Sequence, residues 1–390
     1  MKIIKNKHIK KLSVTILLSL SFLLNVNAQK ILFDNTKSEE AGNADWVIDH
    51  TEPIPSPAQS GITSSTSETY WDGAISAWGV EMVKRGFTVE TLPSYRDISY
   101  GNSSNSQDLS HYDVFVLCEP NNQFSYSEKT AIMNFVQNGG GLFMVADHES
   151  ADRDNDGWSA YTAFNDLITN NSVNSNKAFG MLFTNTDFIN DYPNHNMIND
   201  SNDPLLHGDA GNVSGMEFHG SASMTVYSNS NSSVKPVVFR TGYSTSGTTE
   251  VMVAYSRFGQ GRIVGLVDSS PADDGTGDPG DNLYYGWDEE DNGILITNAT
   301  LWLANGGSDI ENLQKNIVEL YPNPANEFLN IKSKSKINEI EILNIIGKQM
   351  FVKEVNSKQA KIDIRNFESG IYFIEIKTDH GKQVSKLVIK

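Results

Sequence analysis

Two apolar runs of the sequence end in side chains that could carry acid–base chemistry. Residues 142–146 are apolar, and Asp147 and His148 follow them directly; a second run, 263–267, ends in Asp268. In open α/β sheets, ligands bind outside the carboxyl ends of the strands. Carboxyl and imidazole groups can exchange protons there, so we predict that all three residues are catalytic. The competing interpretation is that, of Asp147 and His148, one only caps the next helix and the other only packs.

An acidic loop follows the first of these runs. Asp152, Asp154 and Asp156 occupy alternate positions, and Gly157 allows the chain to bend, as in the first half of a calcium loop. An EF-hand would need an acidic residue eleven places after the first aspartate, where this chain has Ala163. We predict that the three aspartates bind Ca²⁺ with further ligands from elsewhere. A solvated acidic loop and a catalytic metal site remain open alternatives.

A second acidic cluster, residues 268–281, adds two candidate metal ligands. Asp273 and Asp274 follow the apolar run that ends at residue 267. In a parallel sheet this cluster would lie at the same edge as the first one. Its glycines and prolines could equally make it a plain polar loop.

Substrate contacts are predicted near the same strand ends. Glu119 follows the apolar run 113–118, and His219 lies in a polar region without a recognisable zinc motif. Among the aromatic residues, Trp158 and Trp287 are predicted to bind substrate. Core packing is an equally open role for the aromatic side chains in or near loops, which are Trp46, Trp71, Trp158, Tyr284, Tyr285 and Trp287.

Strand and helix patterns alternate through the first 305 residues. Residues 30–34 form a strand that ends in Asp34, and apolar residues recur at helical spacing over 70–85. This alternation predicts an α/β fold with a doubly wound, mostly parallel sheet. Residues 170–235 are rich in Asn, Ser and Gly and have no clear assignment. The remaining predicted elements are strands at 87–92, 113–118, 142–146, 237–240, 251–255 and 262–267, and helices at 127–137, 159–169 and 292–305.

One part of the sequence resembles the class I glutamine amidotransferase-like fold, and its ThuA-like branch in particular. It consists of the strand Asp113–Cys118, a helix, and then the segment Gly139-Gly-Gly-Leu-Phe-Met-Val145. The resemblance spans about 30–305. In amidotransferases a nucleophilic cysteine stands at the tip of that strand, whereas this chain has Asp147-His148, so the amidotransferase reaction is not expected. The only cysteine, Cys118, is predicted to be a buried strand residue.

The C-terminal residues form short alternating strands joined by turns, which predicts a small Ig-like β-sandwich. Tyr321-Pro-Asn-Pro324, Asn344-Ile-Ile-Gly347, Ser369-Gly-Ile-Tyr-Phe373 and Lys386–Lys390 closely resemble the type A sorting domain of the type IX secretion system. The resemblance implies a host of the Bacteroidota type, contact with the type IX machinery, and export across the outer membrane. The protein is therefore expected to be secreted or held at the cell surface.

Composition divides the chain further. Five lysines precede an apolar stretch, so residues 1–28 are predicted to be a signal peptide. We place the α/β domain at 29–305, a linker at 306–316 and the sorting domain at 317–390. Residues 30–305 carry 37 acidic and 12 basic residues, a net charge of −25, which disfavours direct nucleic-acid binding. Phosphate-loop, dinucleotide and serine-hydrolase motifs are absent, so no nucleotide or organic cofactor is expected.

These features predict a secreted, calcium-dependent hydrolase that acts on an extracellular polymer, with polysaccharide favoured. The alternative is a non-catalytic surface protein that binds glycan with calcium-ordered loops. A monomer is expected in either case.

Overall fold

The computed structural model describes residues 28–279, 284–305, 318–344, 348–378 and 381–390. The predicted linker and all but the last residue of the predicted signal peptide lie outside these residues. Two hydrophobic cores are present, one formed by residues before 305 and one by residues after 317.

The first core belongs to a mixed α/β unit. No helix in the described part of the chain has both the length and the apolar character needed to cross a membrane. The elements in chain order are β1 (Lys30–Asp34), α1 (Ser76–Lys84), β2 (Thr88–Leu92), β3 (Val114–Cys118), α2 (Tyr126–Gln137), β4 (Gly141–Val145), α3 (Ala160–Thr169), β5 (Met181–Asn194), β6 (His207–Gly208), β7 (Gly211–Asn212), β8 (Met216–Val226), β9 (Lys235–Phe239), β10 (Val251–Phe258), β11 (Gly261–Leu266) and α4 (Asn292–Ala304).

The main sheet has the strand order β2-β1-β3-β4-β11-β10-β8-β5, with β9 beside β10. Four neighbouring pairs, from β2 to β11, are parallel. The other four pairs are antiparallel. The prediction of a mostly parallel sheet was therefore wrong for half of it. The region without an assignment, 170–235, supplies two long strands of the antiparallel half, β5 and β8.

The parallel half is wound in two directions. The connection β1–α1–β2 moves one way along the sheet and β3–α2–β4 moves the other way. Because such crossovers are right-handed, α1 and α2 lie on opposite faces. The two faces are covered, and every residue of β3, β4 and β11 is buried, including Cys118. Full burial explains why these strands appear in the sequence as continuous apolar runs.

Local sequence determines where the helices begin. Ser125 caps α2: its hydroxyl accepts from the amide of Glu128, while the glutamate side chain accepts from the amide of Ser125. With this capping box the helix begins at Tyr126, one residue before the predicted start at residue 127. Helix α1 is shorter than its apolar periodicity predicts, because Glu68–Tyr70 form a separate 3-10 turn before it.

The second core belongs to five antiparallel strands. They are β12 (Glu319–Tyr321), β13 (Phe328–Asn344), β14 (Gln349–Asp363), β15 (Gly370–Thr378) and β16 (Gly381–Ile389). Within the described residues they form one continuous sheet in which β13 pairs with β12, β14 and β15, and the β13–β14 register shifts after Lys332. The predicted antiparallel tail is confirmed, whereas an Ig-like sandwich of two sheets is supported only in part.

Trp78 of α1 joins the sheet to α4. Its ring packs edge-on against Phe33 of β1 and Phe143 of β4, with centroids 5.4 and 4.9 Å away. Its indole N–H donates to the Thr300 hydroxyl at 3.0 Å. The side chain is fully buried, so it links three elements of the core.

We expect Trp78→Ala to lower the free energy of unfolding by about 3–5 kcal/mol, because it opens a large cavity. Thr300→Val is the matched control. It removes the hydroxyl but keeps the shape, and should cost about 1–3 kcal/mol. Urea unfolding followed by tryptophan fluorescence reports this domain alone, since all six tryptophans precede residue 303. A loss below about 1 kcal/mol for Trp78→Ala would contradict this role.

Candidate functional site

The parallel strands bring four carboxylates to one edge of the sheet. Asp34 ends β1, Glu119 follows β3, Asp147 follows β4 and Asp268 follows β11. The registers of these strands are aligned, with Cys118 beside Val145 and Val145 beside Leu266. The edge includes the point between β1 and β3 where the chain changes direction, which is where ligands bind in such sheets. The predicted placement of these residues at a common edge agrees with the structure.

Arg153 binds two of these carboxylates. Its Nε donates to Glu119 Oε1 at 2.6 Å, and its Nη2 donates to Asp147 Oδ2 at 2.8 Å. Its Nη1 donates to Asn43 Oδ1 at 2.7 Å. The Ser269 hydroxyl donates to the other oxygen of Glu119 at 2.8 Å. Both carboxylates are nearly inaccessible, so one guanidinium and one hydroxyl replace the water that they lose.

Glu119 has an unusual backbone conformation. Its φ angle is +52°, in the left-handed region that costs a non-glycine residue about 1–2 kcal/mol. The conformation turns its side chain under Arg153 directly after β3. Backbone strain of this kind persists where the surroundings hold it in place, and it is concentrated at functional sites.

A cleft of about 180 Å³ opens above these groups. Three of its lining residues, Asp147, His148 and His219, were predicted from sequence. Asp147 and His148 lie side by side, with His148 Nε2 4.0 Å from Asp147 Oδ1, and His148 Nδ1 lies 2.8 Å from the Ser150 hydroxyl. The other lining residues are Asn43, Trp46, Arg153, Ser269, Ser270 and Tyr284.

His219 forms one wall of the cleft. Its ring is stacked between Tyr192 and Tyr284, with centroids 4.6 and 5.0 Å away. Its Nε2 lies 3.4 Å from Glu217 Oε2 and 3.2 Å from Glu289 Oε2. One ligating atom from each of these three residues falls within 4.8 Å of the others, so they form a possible cation site.

Asp268 lies behind this wall. Its carboxylate accepts the backbone N–H of His219 at 2.6 Å and that of Ser270 at 3.0 Å. Burial raises the pKa of Asp268 to about 7, although both N–H groups oppose the rise. Burial also raises the pKa of Asp147 well above its usual range; the nearby Glu119 and Asp268 charges add to the rise, and Arg153 offsets part of it. Asp147 and Asp268 are therefore electrostatically linked.

The predicted calcium loop brings its three aspartates together. Ligating atoms of Asp152, Asp154 and Asp156 lie within 4.8 Å of one another. The same carboxylates accept backbone N–H groups of residues 156–158, and Asn122 Nδ2 donates to two of them, at 2.6 Å and 3.1 Å. Each carboxylate oxygen has more than one lone pair, so the cluster can still bind an ion. The loop is placed beside the cleft, and Arg153 is part of it.

Four other predicted residues take positions outside the cleft lining. Asp273 accepts the amides of Gly275 and Tyr284, and Asp274 accepts the amide of Ala77 at the start of α1. Within the described residues neither belongs to a cluster of three metal-ligating groups. Trp287 is buried and faces a different cavity. Trp158 packs against the domain core.

Arg153 is the charged residue of the site that the sequence predictions missed. One signal was available: it is the only Lys or Arg between Lys129 and Lys177, in the middle of an acidic loop. Asn43, Ser269 and Ser270 had no such signal. Polar residues in loops are common, and only the tertiary fold brings these three to the cleft.

Comparisons with known proteins identify the C-terminal part of the chain. Residues 319–390 match the family model of the secretion system C-terminal sorting domain. Among curated proteins, no relative matches the chain. Thus the C-terminal unit is a sorting domain of the type IX secretion system. The protein interacts with that machinery and is exported to the cell surface or the extracellular space.

Solved structures resemble the chain only weakly. A cytoplasmic protein of Salmonella typhimurium is 14% identical, with 70% of this chain and 98% of that chain covered and a TM-score of 0.41. A putative ThuA-like protein of Parabacteroides merdae is 12% identical, with 72% and 91% covered and a TM-score of 0.35. A Bacteroides vulgatus protein with an immunoglobulin-like fold is 18% identical, with 20% and 88% covered and a TM-score of 0.18. Scores this low are no basis for inferring a shared activity.

A buried acid pair lies at the end of β1, beside the site. Asp34 and Glu39 are almost wholly inaccessible, and Asp34 Oδ1 and Glu39 Oε1 have no hydrogen-bond partner among the described residues. Burial raises the pKa of Asp34 to about 7, and it raises that of Glu39 well above the usual range. Protonation of these two carboxyls therefore stabilises the folded state. That stabilisation is complete below the unfolded-state pKa near 4, and it is lost as the pH rises through 7.

We therefore expect the melting temperature to fall between pH 5 and pH 8. Asp34→Asn should reduce this fall, because an amide replaces the carboxyl that must otherwise ionise, and should stabilise the protein at pH 8 by about 1–2 kcal/mol. Asp209→Asn, the same charge change at an exposed position, is the control. Thermal unfolding at several pH values measures the effect. Equal pH profiles for Asp34→Asn and the unaltered protein would refute this account.

Proposed function

We propose that this exported protein is a hydrolase of an extracellular polymer, with polysaccharide favoured, and that the cleft beside Asp147 and His148 is its active site. The observation that carries the proposal is the convergence of buried carboxyls, one guanidinium and two histidines at the carboxyl edge of the sheet. Sites with strongly shifted pKa values in a cleft are functional candidates on physical grounds.

The proton donor in this scheme is the linked pair Asp147 and Asp268. Both carboxyls are buried, and Arg153 pairs with Asp147 and Glu119 but not with Asp268, so burial disfavours the charged forms of Asp147 and Asp268. At least one of the two carboxyls with a raised pKa, Asp147 or Asp268, therefore holds its proton near neutral pH. Asp147 lines the cleft, so it can pass this proton to the oxygen of a leaving group.

His148 is the proposed general base. It is half-buried at the mouth of the cleft, next to Asp147, and Ser150 holds its Nδ1. In the proposed reaction His148 takes a proton from water as the water attacks, while the carboxyl donates its proton to the departing oxygen. One water molecule is consumed and one bond of the polymer is broken.

The cleft has features that suit a sugar. Trp46 and Tyr284 line it, and aromatic faces stack on apolar faces of sugar rings. The indole N–H of Trp46 is buried and has no hydrogen-bond partner in the described part of the chain, so an acceptor such as a hydroxyl oxygen would satisfy it. A volume of about 180 Å³ is below the usual range for larger ligands, which favours a single sugar unit.

In this proposal, Ca²⁺ binds the acidic loop beside the cleft. The residues of the acidic loop are oxygen donors, as Ca²⁺ requires, and backbone carbonyls or water would complete the six to eight ligands. A bound ion would neutralise Asp152, Asp154 and Asp156 and hold the loop in one conformation. Because Arg153 lies between the first two of these residues, an ordered loop keeps its guanidinium on Glu119 and Asp147.

We expect His148→Ala to lower hydrolysis by about 10²–10⁴-fold, the usual contribution of a general base. The measurement is the release of reducing ends from a panel of plant, algal and bacterial polysaccharides by the mature protein in calcium. His207→Ala is the control, since His207 is exposed and its ring bonds Asn212. Circular dichroism verifies that both variants are folded.

The exposed aromatic residues favour one second function, glycan binding without catalysis. Tyr192 and Tyr284 flank His219 and remain 54% and 37% exposed. In that case the unaltered protein binds a glycan without cleaving it, Tyr284→Ala weakens binding, and His148→Ala does not. That pattern of results would rule out the hydrolase.

We expect Ca²⁺ to bind with a Kd in the range of extracellular modules, about 10⁻⁴–10⁻³ M, and to raise the melting temperature. Asp154→Ala should abolish both effects. Calorimetry and thermal unfolding of the mature protein provide the two readouts, with Asp209→Ala as the matched loss of an exposed carboxylate. Calcium binding that is unchanged in Asp154→Ala would refute the assignment of the ion to this loop.

A further inference from the structure

A third cluster of ligating side chains surrounds His50, outside the cleft. Its carboxylates come from separate parts of the chain. Glu40 and Asp45 lie in the segment after β1, Asp72 precedes α1, and Asp278 follows β11. Glu40, Asp45 and His50 belong to one short segment, whereas Asp72 and Asp278 are distant in sequence and reach the imidazole only through the tertiary fold.

The distances in this cluster fit a metal ion. His50 Nε2 lies 3.0 Å from Asp45 Oδ1, 3.8 Å from Glu40 Oε1 and 3.9 Å from Asp278 Oδ1. A tetrahedral Zn²⁺ with ligands at about 2.1 Å separates neighbouring ligand atoms by about 3.4 Å. One atom each from Glu40, Asp45 and His50 also lies within 4.8 Å of the others. Small side-chain adjustments would bring these three atoms around one ion, and a rotation of the Asp278 side chain, which is not part of this group of three, would supply the fourth ligand.

The other ring nitrogen of His50 is already held. Its Nδ1 lies 3.1 Å from Asp72 Oδ1, and the same carboxylate oxygen accepts the His50 backbone N–H. Metal-binding histidines almost always donate their second N–H to a carboxylate or carbonyl, which fixes the ring and leaves Nε2 for the ion. Asn35 supports the set from another side by donating to Glu40.

The cluster lacks a compensating cation. In the described residues, none of Glu40, Asp45, Asp72 and Asp278 forms an ion pair with Lys or Arg; their only basic partner is His50. Asp45 is buried, so this imbalance is costly. A divalent ion would remove most of it.

The backbone at Gly277 packs tightly against the Asp45 side chain. Gly277 has a φ of +130°, and a Cβ there would lie 2.4 Å from Asp45 Oδ2. The next residue, Asp278, donates its backbone N–H to that same oxygen at 3.0 Å. A glycine at residue 277 therefore allows the loop after β11 to approach Asp45, and this places Asp278 beside His50.

We propose that His50, Glu40, Asp45 and Asp278 bind a divalent transition-metal ion of the zinc class, with Asp72 as the outer carboxylate. The imidazole nitrogen favours such an ion over Ca²⁺, which takes oxygen ligands. The ion ties the segment that carries Asn43 and Trp46 to the loop after β11, and both segments line the cleft. This site is separate from the proposed calcium loop, and its existence does not depend on the proposed hydrolysis.

The competing state of the cluster is a protonated His50 without metal. Burial lowers the pKa of His50, but Asp45 and Asp72 outweigh it, and the net shift is upward. An imidazolium bonded to these carboxylates would then occupy the place of the ion. The two states differ in whether Nε2 can bind a metal at neutral pH.

The test is a Co²⁺ titration of the mature protein in excess Ca²⁺, followed by the visible absorption that tetrahedral Co²⁺ gives, with Zn²⁺ calorimetry in parallel. We expect one equivalent to bind. His50→Gln should abolish the signal, and Asp72→Asn should weaken binding about 10–100-fold. Glu217→Gln, which removes a carboxylate from the other His-containing cluster, and Asp209→Asn should bind as the unaltered protein does.

Two results would overturn the site: no stoichiometric binding at neutral pH, or binding that persists unchanged in both His50→Gln and Asp72→Asn. Asp72 is largely exposed, so its variant remains informative if His50→Gln does not fold. Neither readout uses polymer cleavage. A failure here therefore leaves the proposed hydrolase untouched, and a failure of the hydrolase leaves the metal site testable.

Discussion

The contact of Arg153 with Glu119 and Asp147 is the interaction on which the candidate site depends. Two adjacent parallel strands, β3 and β4, end in carboxylates that the fold removes from water. Charges buried in this way are tolerated only when they are paired and hydrogen-bonded. Arg153 supplies that pairing from the acidic loop, so the loop must lie over the strand ends, and the cleft forms beside it.

The same edge concentrates carboxyls that prefer to keep a proton. Burial raises the pKa of Asp34 and Glu39 near the end of β1, and it also raises the pKa of Asp147 and Asp268. Such groups reduce stability as the pH rises, so they are costly for folding alone. Proteins retain costly ionisable groups where chemistry needs them, and this is the physical basis of the proposed active site.

Cations provide a second way to accommodate so much negative charge. The described residues contain three clusters in which ligating atoms come together, around Asp154, His50 and His219. They differ in donor type: the first has only oxygen donors, whereas the other two each include an imidazole. The type of ligand would therefore decide which ion binds, with calcium at the cluster around Asp154 and a transition metal at the cluster around His50.

Sequence by itself determined the local structure of the parallel half of the sheet and the destination of the protein. Continuous apolar runs indicated β3, β4 and β11 because both faces of a parallel sheet are covered, and the tail motifs identified the sorting domain. The positions of Asp147, His148 and Asp268 at strand ends followed from the same runs. Periodicity and short motifs are local properties, so the order of residues contains them.

Only the tertiary structure decided which distant residues meet. It placed Arg153 on Glu119 and stacked His219 between two tyrosines, and it brought Asp278 to His50. It also made half of the sheet antiparallel, through β5 and β8, which lie in a region whose polar composition obscures the strand pattern in the sequence. These outcomes depend on strand order and loop packing, which arise from contacts between residues far apart in the chain, and no local pattern encodes such contacts.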